Sequence, residues 1–185
     1  MRVGLLGLQG AFLDHIAHLH RCGVTPCIVR DAQALSTVDR LIIPGGESTV
    51  MAKFLEAFGM RGPLRRRIDD GMPVWGVCAG AILLADQVDG HPGSLGGMPV
   101  AVQRNAYGRQ IASDTHAIDV PLLALRAYPA IFIRAPRILS MGDAVAVHAC
   151  MDNDPVFVQH GRLMATTFHP ELHPGDAFHR YFIDL

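Results

Sequence analysis

Among its 185 residues the chain has a single lysine, Lys53, so its basic side chains are almost all arginine, which we read as codon bias before function. Sixteen basic and 17 acidic residues leave a formal net charge of −1. That balance argues against nucleic acid and against a membrane surface as partners. Charged residues make up only 18% and hydrophobic ones 50%, which excludes a disordered chain. No apolar run is long enough to span a bilayer, and Met1–Gln9 lacks the long hydrophobic region and cleavage site of a signal peptide. A cytoplasmic protein is therefore expected. The four cysteines, Cys22, Cys27, Cys78 and Cys150, form no Cys-x-x-Cys pair, and a reducing compartment disfavours disulfides. Repeats, low-complexity tracts and an interdomain linker are all missing, and the length suits one compact domain over residues 1–185.

What is present alternates in a regular way. Val3–Leu8 is a glycine-punctuated apolar strand, followed by a helix over about Phe12–Cys22. Short strands follow at Pro26–Val29 and Arg40–Ile43, the latter stopped by Pro44-Gly45-Gly46. Ser48 is suited to cap a helix over Thr49–Phe58. A further helix covers Pro63–Asp70, with Gly71 ending it. Pro73–Val77 reads as another buried strand and Ala79–Ala85 as the helix leaving it. Strands alternating with helices predict an α/β fold around a mostly parallel sheet. The second half changes character: Val100–Gln103, Ala130–Ile133, Ala144–His148 and Val156–Gln159 are short, turn-separated segments of antiparallel type. A last amphipathic helix, Asp176–Asp184, places Phe178 and Phe182 on one face.

The strongest chemical signal is Gly76-Val77-Cys78-Ala79-Gly80, set between a strand and a helix. This is the G-x-nucleophile-x-G elbow with cysteine as the nucleophile. A helix N-terminus behind the thiol favours the thiolate and offers backbone N–H groups to an oxyanion, each worth about 3 kcal/mol in comparable sites. The alternative is a small buried cysteine in a turn.

Such a thiol needs a histidine, and ten are available. His15, His18 and Cys22 share a helical face but lack a fourth ligand for zinc. His169-Pro170-Glu171-Leu172-His173 departs from the zinc-protease pattern because Pro170 occupies the acidic position. His169 instead ends the apolar segment Met164–Phe168. Glu171 lies two residues on, and in extended chain such positions face the same side, where a carboxylate can orient the imidazole. On its own His-Pro-Glu is a surface turn; beside the elbow it reads as catalytic. Pro44-Gly45-Gly46-Glu47-Ser48-Thr49 lets the backbone approach a ligand, although alone it is an ordinary strand-to-helix turn. It is too short for a Walker loop and lacks the lysine.

Taken together, in this order and spacing, Pro-Gly-Gly-Glu-Ser-Thr, Gly-Val-Cys-Ala-Gly and Phe-His-Pro-Glu resemble the class I glutamine amidotransferases. More narrowly, the chain resembles the glutaminase subunits of pyridoxal 5′-phosphate synthase. The narrowing residues are Gly7-Leu8-Gln9-Gly10, Arg104-Asn105-Ala106-Tyr107-Gly108-Arg109-Gln110 and Phe132-Ile133-Arg134-Ala135-Pro136. The resemblance implies a single-domain three-layer fold with a triad of Cys78, His169 and Glu171. It implies glutamine contacts from Gly46, Glu47, Ser48, Arg104, Ile133 and Arg134, and an oxyanion hole from the amides of Gly46 and Ala79. Charge agrees: free glutamine carries an α-carboxylate and an α-ammonium, which Arg104 or Arg134 and Glu47 would answer.

The implied reaction hydrolyses L-glutamine to L-glutamate and ammonia without metal or bound cofactor. The implied partner, in a hetero-oligomeric complex, is the synthase (lyase) subunit that uses the ammonia. Three other readings stay open at this point: a glutaminase subunit of another biosynthetic amidotransferase, a cysteine hydrolase or peptidase of related fold acting without a partner, and a non-catalytic regulatory subunit.

Overall fold

A computed structural model describes residues 1–106 and 113–185. In chain order the elements of the first half are β1 (Val3–Leu6), α1 (Asp14–Arg21), β2 (Cys27–Val29), α2 (Ala32–Ser36), β3 (Arg40–Ile43), α3 (Ser48–Ala57), α4 (Arg61–Asp69), β4 (Val74–Val77) and α5 (Ala79–Leu84). The second half adds β5 (Ala85–Val88), β6 (His91–Pro92), β7 (Met98–Gln103), β8 (Ser113–Val120), β9 (Leu125–Ile133), β10 (Arg137–Met141), β11 (Ala146–Met151), β12 (Asp154–His160), β13 (Leu163–Thr166) and α6 (Ala177–Asp184).

The main sheet orders its strands β11-β12-β13-β4-β3-β1-β2. Pairings from β13 through β4, β3 and β1 to β2 are parallel, while β11 and β12 join antiparallel at the far edge. The expected mostly parallel sheet is thus present. Its parallel strands are near-continuous apolar runs because both faces are covered. On one face Leu41, Ile43 and Val74 pack with Met51, Leu55, Leu64 and Leu84 from α3, α4 and α5. On the other, Val3, Leu5, Ile42 and Trp75 pack with Leu19 of α1, Phe178 and Phe182 of α6, and Phe132 of β9. Three layers result.

The β8–β9 ribbon and a four-stranded sheet, β10-β7-β5-β6, flank this body. Most of these additions escape sequence patterning. The predicted strand Ala130–Ile133 is only the end of β9, and its partner β8 reads Ser-Asp-Thr-His-Ala-Ile-Asp-Val, too polar to register as a strand. The predicted helix through Ala85 stops at Leu84, where the chain turns extended.

β1 leads to β2 on one side of the sheet and β3 leads to β4 on the other. The gap between β1 and β3 is therefore a topological switch point, and the crevice at its carboxyl end is where open α/β sheets take ligands. The loops after β1, β3, β4 and β13 all open there.

Candidate active site

Cys78 sits between β4 and α5 with φ 48° and ψ −97°, a conformation sparsely populated by non-glycine residues. The flanking glycines serve close approach. A Cβ on Gly76 would run into the Gly80 backbone, and one on Gly80 would overlap the Ile43 carbonyl oxygen. The strain of the elbow thus falls on Cys78 itself, held by its amide donating to the Thr166 carbonyl at 2.8 Å. Its thiol donates to the Ile133 carbonyl oxygen at 3.7 Å.

Parallel pairing of β13 with β4 sets Thr166 beside Val77, so the chain leaving β13 arrives next to the elbow. His169 follows, anchored by its amide on the Ile131 carbonyl at 2.8 Å. Its Nδ1 bonds Glu171 Oε1 at 2.7 Å, with both side chains almost wholly buried. The extended geometry expected for His169–Glu171 is not what brings them together. Pro170–Leu172 forms a 3-10 turn, which the proline at its first position favours, and the turn folds the carboxylate back under the ring. Gly45 leaves room for the imidazole, since a Cβ there would overlap His169 Cε1.

Burial works against an imidazolium at His169, but hydrogen bonding toward Cys78 and Glu171 outweighs it and pushes the pKa up to about 10. Glu171 secures that direction, because its bond to Nδ1 is closed whereas Nε2 makes no full hydrogen bond to any described residue. Burial likewise works against the Glu171 carboxylate, and the His169 bond with the nearby histidines holds its pKa below the ordinary value. The pair is therefore a buried carboxylate–imidazolium ion pair facing the thiol.

Glu47, not Ser48, caps α3: its carboxylate accepts from the amides of Thr49 at 3.0 Å and Val50 at 2.7 Å. Glutamate reaches the second and third amides of the first turn, and Ser48 becomes the first helical residue, nearly buried against the cleft. Burial works against the Glu47 carboxylate, but the Thr49 and Val50 amides, with the Thr49 hydroxyl and Arg104, together outweigh it and hold its pKa below the ordinary value. Each of its oxygens retains a lone pair for a ligand cation.

Arg104 is held from three directions. Asp89 accepts from its amide at 2.9 Å and from Nε at 2.7 Å, while Nη1 donates to Thr49 Oγ1 at 2.9 Å. Arg134 adopts φ 45°, a left-handed turn directly after β9. A cleft of about 490 Å³ collects all the predicted residues: Gly46, Glu47, Ser48, Cys78, Ala79, Arg104, Ile133, Arg134, His169 and Glu171. Tyr107, Gly108, Arg109 and Gln110 of the arginine-asparagine motif lie outside the described residues.

Sequence reasoning gave Gln9 no role in the site, although its motif was noted. Its Oε1 accepts from the Glu47 amide at 3.0 Å and lines the cleft. Of the residues that hold Arg104, Thr49 ends the Pro44–Thr49 motif but was given no role, and Asp89 carries no sequence signal. Among the described residues no group of histidine, cysteine and acidic side chains is arranged for a metal.

Such an arrangement suits nucleophilic attack on an amide: a strained thiol at a helix N-terminus, a protonated imidazole beside it, and charged groups of both signs at the mouth. The family model described as the SNO glutamine amidotransferase family matches residues 5–185. The chain is 44% identical over 186 residues to the pyridoxal 5′-phosphate synthase subunit PdxT of Thermotoga neapolitana, covering 100% of this chain and 99% of that one. It is 46% identical over 190 residues to the PdxT of Chloroflexus aurantiacus, covering both chains in full. A solved structure described as a glutamine amidotransferase superimposes with a TM-score of 0.92 at 39% identity, over 98% of this chain and 97% of that chain. On motifs, fold and full-length similarity alike, the chain belongs to the SNO family of glutamine amidotransferases.

Proposed function

We propose that the chain is the glutaminase subunit of a pyridoxal 5′-phosphate synthase, hydrolysing L-glutamine and passing ammonia to a synthase subunit. The observation that carries this reading is the strained thiol of Cys78 sharing one cleft with the buried His169–Glu171 pair. The full-length similarity to PdxT subunits supports the pathway.

Glutamine enters with its α-carboxylate toward Arg104 and Arg134 and its α-ammonium toward Glu47. In the reactive state the proton of the Cys78 thiol resides on His169, and the resulting thiolate attacks the side-chain amide carbon. The carbonyl π electrons move onto oxygen, and the amides of Gly46 and Ala79 donate hydrogen bonds to the oxyanion so formed. His169 then gives its proton to the departing nitrogen, the C–N bond breaks, and ammonia leaves a γ-glutamyl thioester. Neutral His169 next takes a proton from water as the hydroxyl attacks the thioester, and expulsion of the thiolate completes glutamate. Glu171 stays ionised throughout and stabilises each imidazolium.

The test is glutamate release by wild type and by Cys78→Ala, each with and without the synthase subunit. Hydrolysis that is strongest in the complex and lost in Cys78→Ala, with the mutant still folded and assembled, is the expected result. Undiminished hydrolysis by Cys78→Ala would remove the nucleophile from this assignment.

A further inference from the structure

Behind the triad lies a cluster of histidines that the chemistry above does not use. His15 and His18 lie on the inner face of α1, and His179 lies on α6; all three are buried. His15 Nδ1 and His179 Nε2 are 2.9 Å apart and share one proton-bearing contact. His179 stacks on His18 with ring centroids 4.3 Å apart and planes 3° from parallel. Both His15 and His179 stand edge-on to Trp75, three residues before the nucleophile.

His18 joins this cluster to the triad. Its Nε2 lies 2.9 Å from the backbone carbonyl oxygen of Glu171. A carbonyl can only accept, so Nε2 carries a proton and donates it. On the other side of the ring, Nδ1 lies 3.0 Å from Asp176 Oδ1 and 2.8 Å from Arg21 Nη2. Arg21 in turn donates to both Asp176 oxygens and to the Pro174 carbonyl. The ring is therefore held on both edges and on one face. Its single link to the catalytic machinery is the main chain of the triad acid.

We infer that α1 is a positioning element of the triad: His18, clamped by Asp176 and Arg21, holds the backbone of Glu171, and the buried His15–His179 pair backs it. This rests on the reading of Cys78, His169 and Glu171 as the triad.

The physical need is specific. Glu171 sits in a one-turn 3-10 segment, whose hydrogen-bond geometry is poorer than that of an α-helix, and the turn's own backbone bonds are long, at 3.2 and 3.3 Å. The bond from His18 is shorter and comes from a regular helix. The carboxylate must also remain charged while buried. His169 is the ring whose positive charge faces it, through the bond to Oε1. Burial holds His15 neutral, its pKa lowered to about 4, and pushes that of His179 down as well. The pair therefore adds polarity behind Glu171 without a competing positive charge.

The experiment is glutamine turnover by the complex with the synthase subunit, comparing wild type, His18→Leu, His18→Asn and His15→Leu over pH 6–10.5. The groups facing the histidines are Glu171 and His169 on the segment after β13, Arg21 on α1, and Asp176 at the start of α6. Loosening Glu171 removes what holds the His169 imidazolium, so its proton is lost earlier. His18→Leu and His15→Leu should lower kcat about tenfold with KM for glutamine within about twofold of wild type. They should also move the basic limb of kcat/KM to lower pH. His18→Asn keeps a side-chain donor and should recover much of the loss. Melting temperature is followed for every variant.

Two results would overturn the inference: a folded His18→Leu with unchanged kcat and basic limb, or variants whose activity falls only as far as their melting temperature does. A wild-type complex without glutaminase activity would instead strike at the triad reading beneath it.

Discussion

At the scale of single residues, the contact with most consequence is the 2.7 Å bond between His169 and Glu171, because both groups are charged and almost wholly buried. Unfolded, His169 titrates near its ordinary value; folded, it is held up to about 10. The folded state therefore binds its proton more tightly. Its contribution to stability is complete below about pH 6.5 and drains away as pH rises toward 10. Glu171 is held below its ordinary value, so its contribution is present above the unfolded pKa and is lost as pH falls through the folded one. Glu171→Gln removes the carboxylate and its share of the upward shift at His169, leaving the share from Cys78. Between pH 6.5 and 10 the wild-type melting temperature should fall more steeply than that of Glu171→Gln, as followed by calorimetry. Parallel curves would mean that the pair is not ionised as described. Cys78 makes the complementary point: its φ of 48° is retained by packing around the elbow, not by its own preference.

At the scale of elements, the parallel strands and the helices between them were legible. β3 begins and ends where patterning places it, and α4, ending at Asp69 before Gly71 with φ +85°, differs by a residue or two. These elements are buried on one stripe or two faces, so their composition repeats their geometry. In the side sheet Val100–Gln103 was legible as most of β7, whereas β5, β6 and β10 were not, because they are short and largely exposed. β5 and β6 together span six residues. The capping of α3 was misread for a different reason. Serine is the commoner cap, yet Glu47 has the reach to accept from two amides, and the backbone only turns helical after it. Glu47→Ala should cost about 1 kcal/mol in stability through the lost cap. It should also raise KM for glutamine, since the same carboxylate lines the cleft. Chemical denaturation alongside steady-state kinetics would separate the effects, and an unchanged KM would leave Glu47 as a cap alone.

At the scale of the whole molecule, α6 closes the layer that carries the histidine cluster. Phe182 is fully buried beside Trp75, with ring centroids 5.8 Å apart. Arg40 Nη1, from β3, donates to the Phe182 and Ile183 carbonyls at the end of the helix. The C-terminal helix is thus fastened to the strands that carry the active-site loops. Phe182→Ala should destabilise the protein by about 3–5 kcal/mol, the usual cost of an aromatic-sized cavity. Trp75 is the sole tryptophan and is buried between these layers, so its fluorescence reports the same event. Fluorescence and loss of glutaminase activity should share one denaturation midpoint if residues 1–185 unfold as one unit. Separate midpoints would divide the active-site loops from the α6 layer.

By itself the sequence determined the local chemistry: a strand, a glycine-flanked thiol and a helix start at Gly76–Gly80, a glycine turn at Pro44–Glu47, and an imidazole and carboxylate two residues apart. Each of these follows from short-range backbone constraints that a few residues impose whatever surrounds them. Only the tertiary structure decided that Cys78 and His169, some ninety positions apart, meet at the carboxyl ends of two neighbouring strands, through the parallel register of β4 and β13. It alone decided that Asp89 and Thr49 aim Arg104, and that His18 of α1 reaches the backbone of Glu171. Such contacts leave no periodic trace, because long-range pairing is selected by the burial of whole faces, and the polar residues it brings together are passengers of that packing.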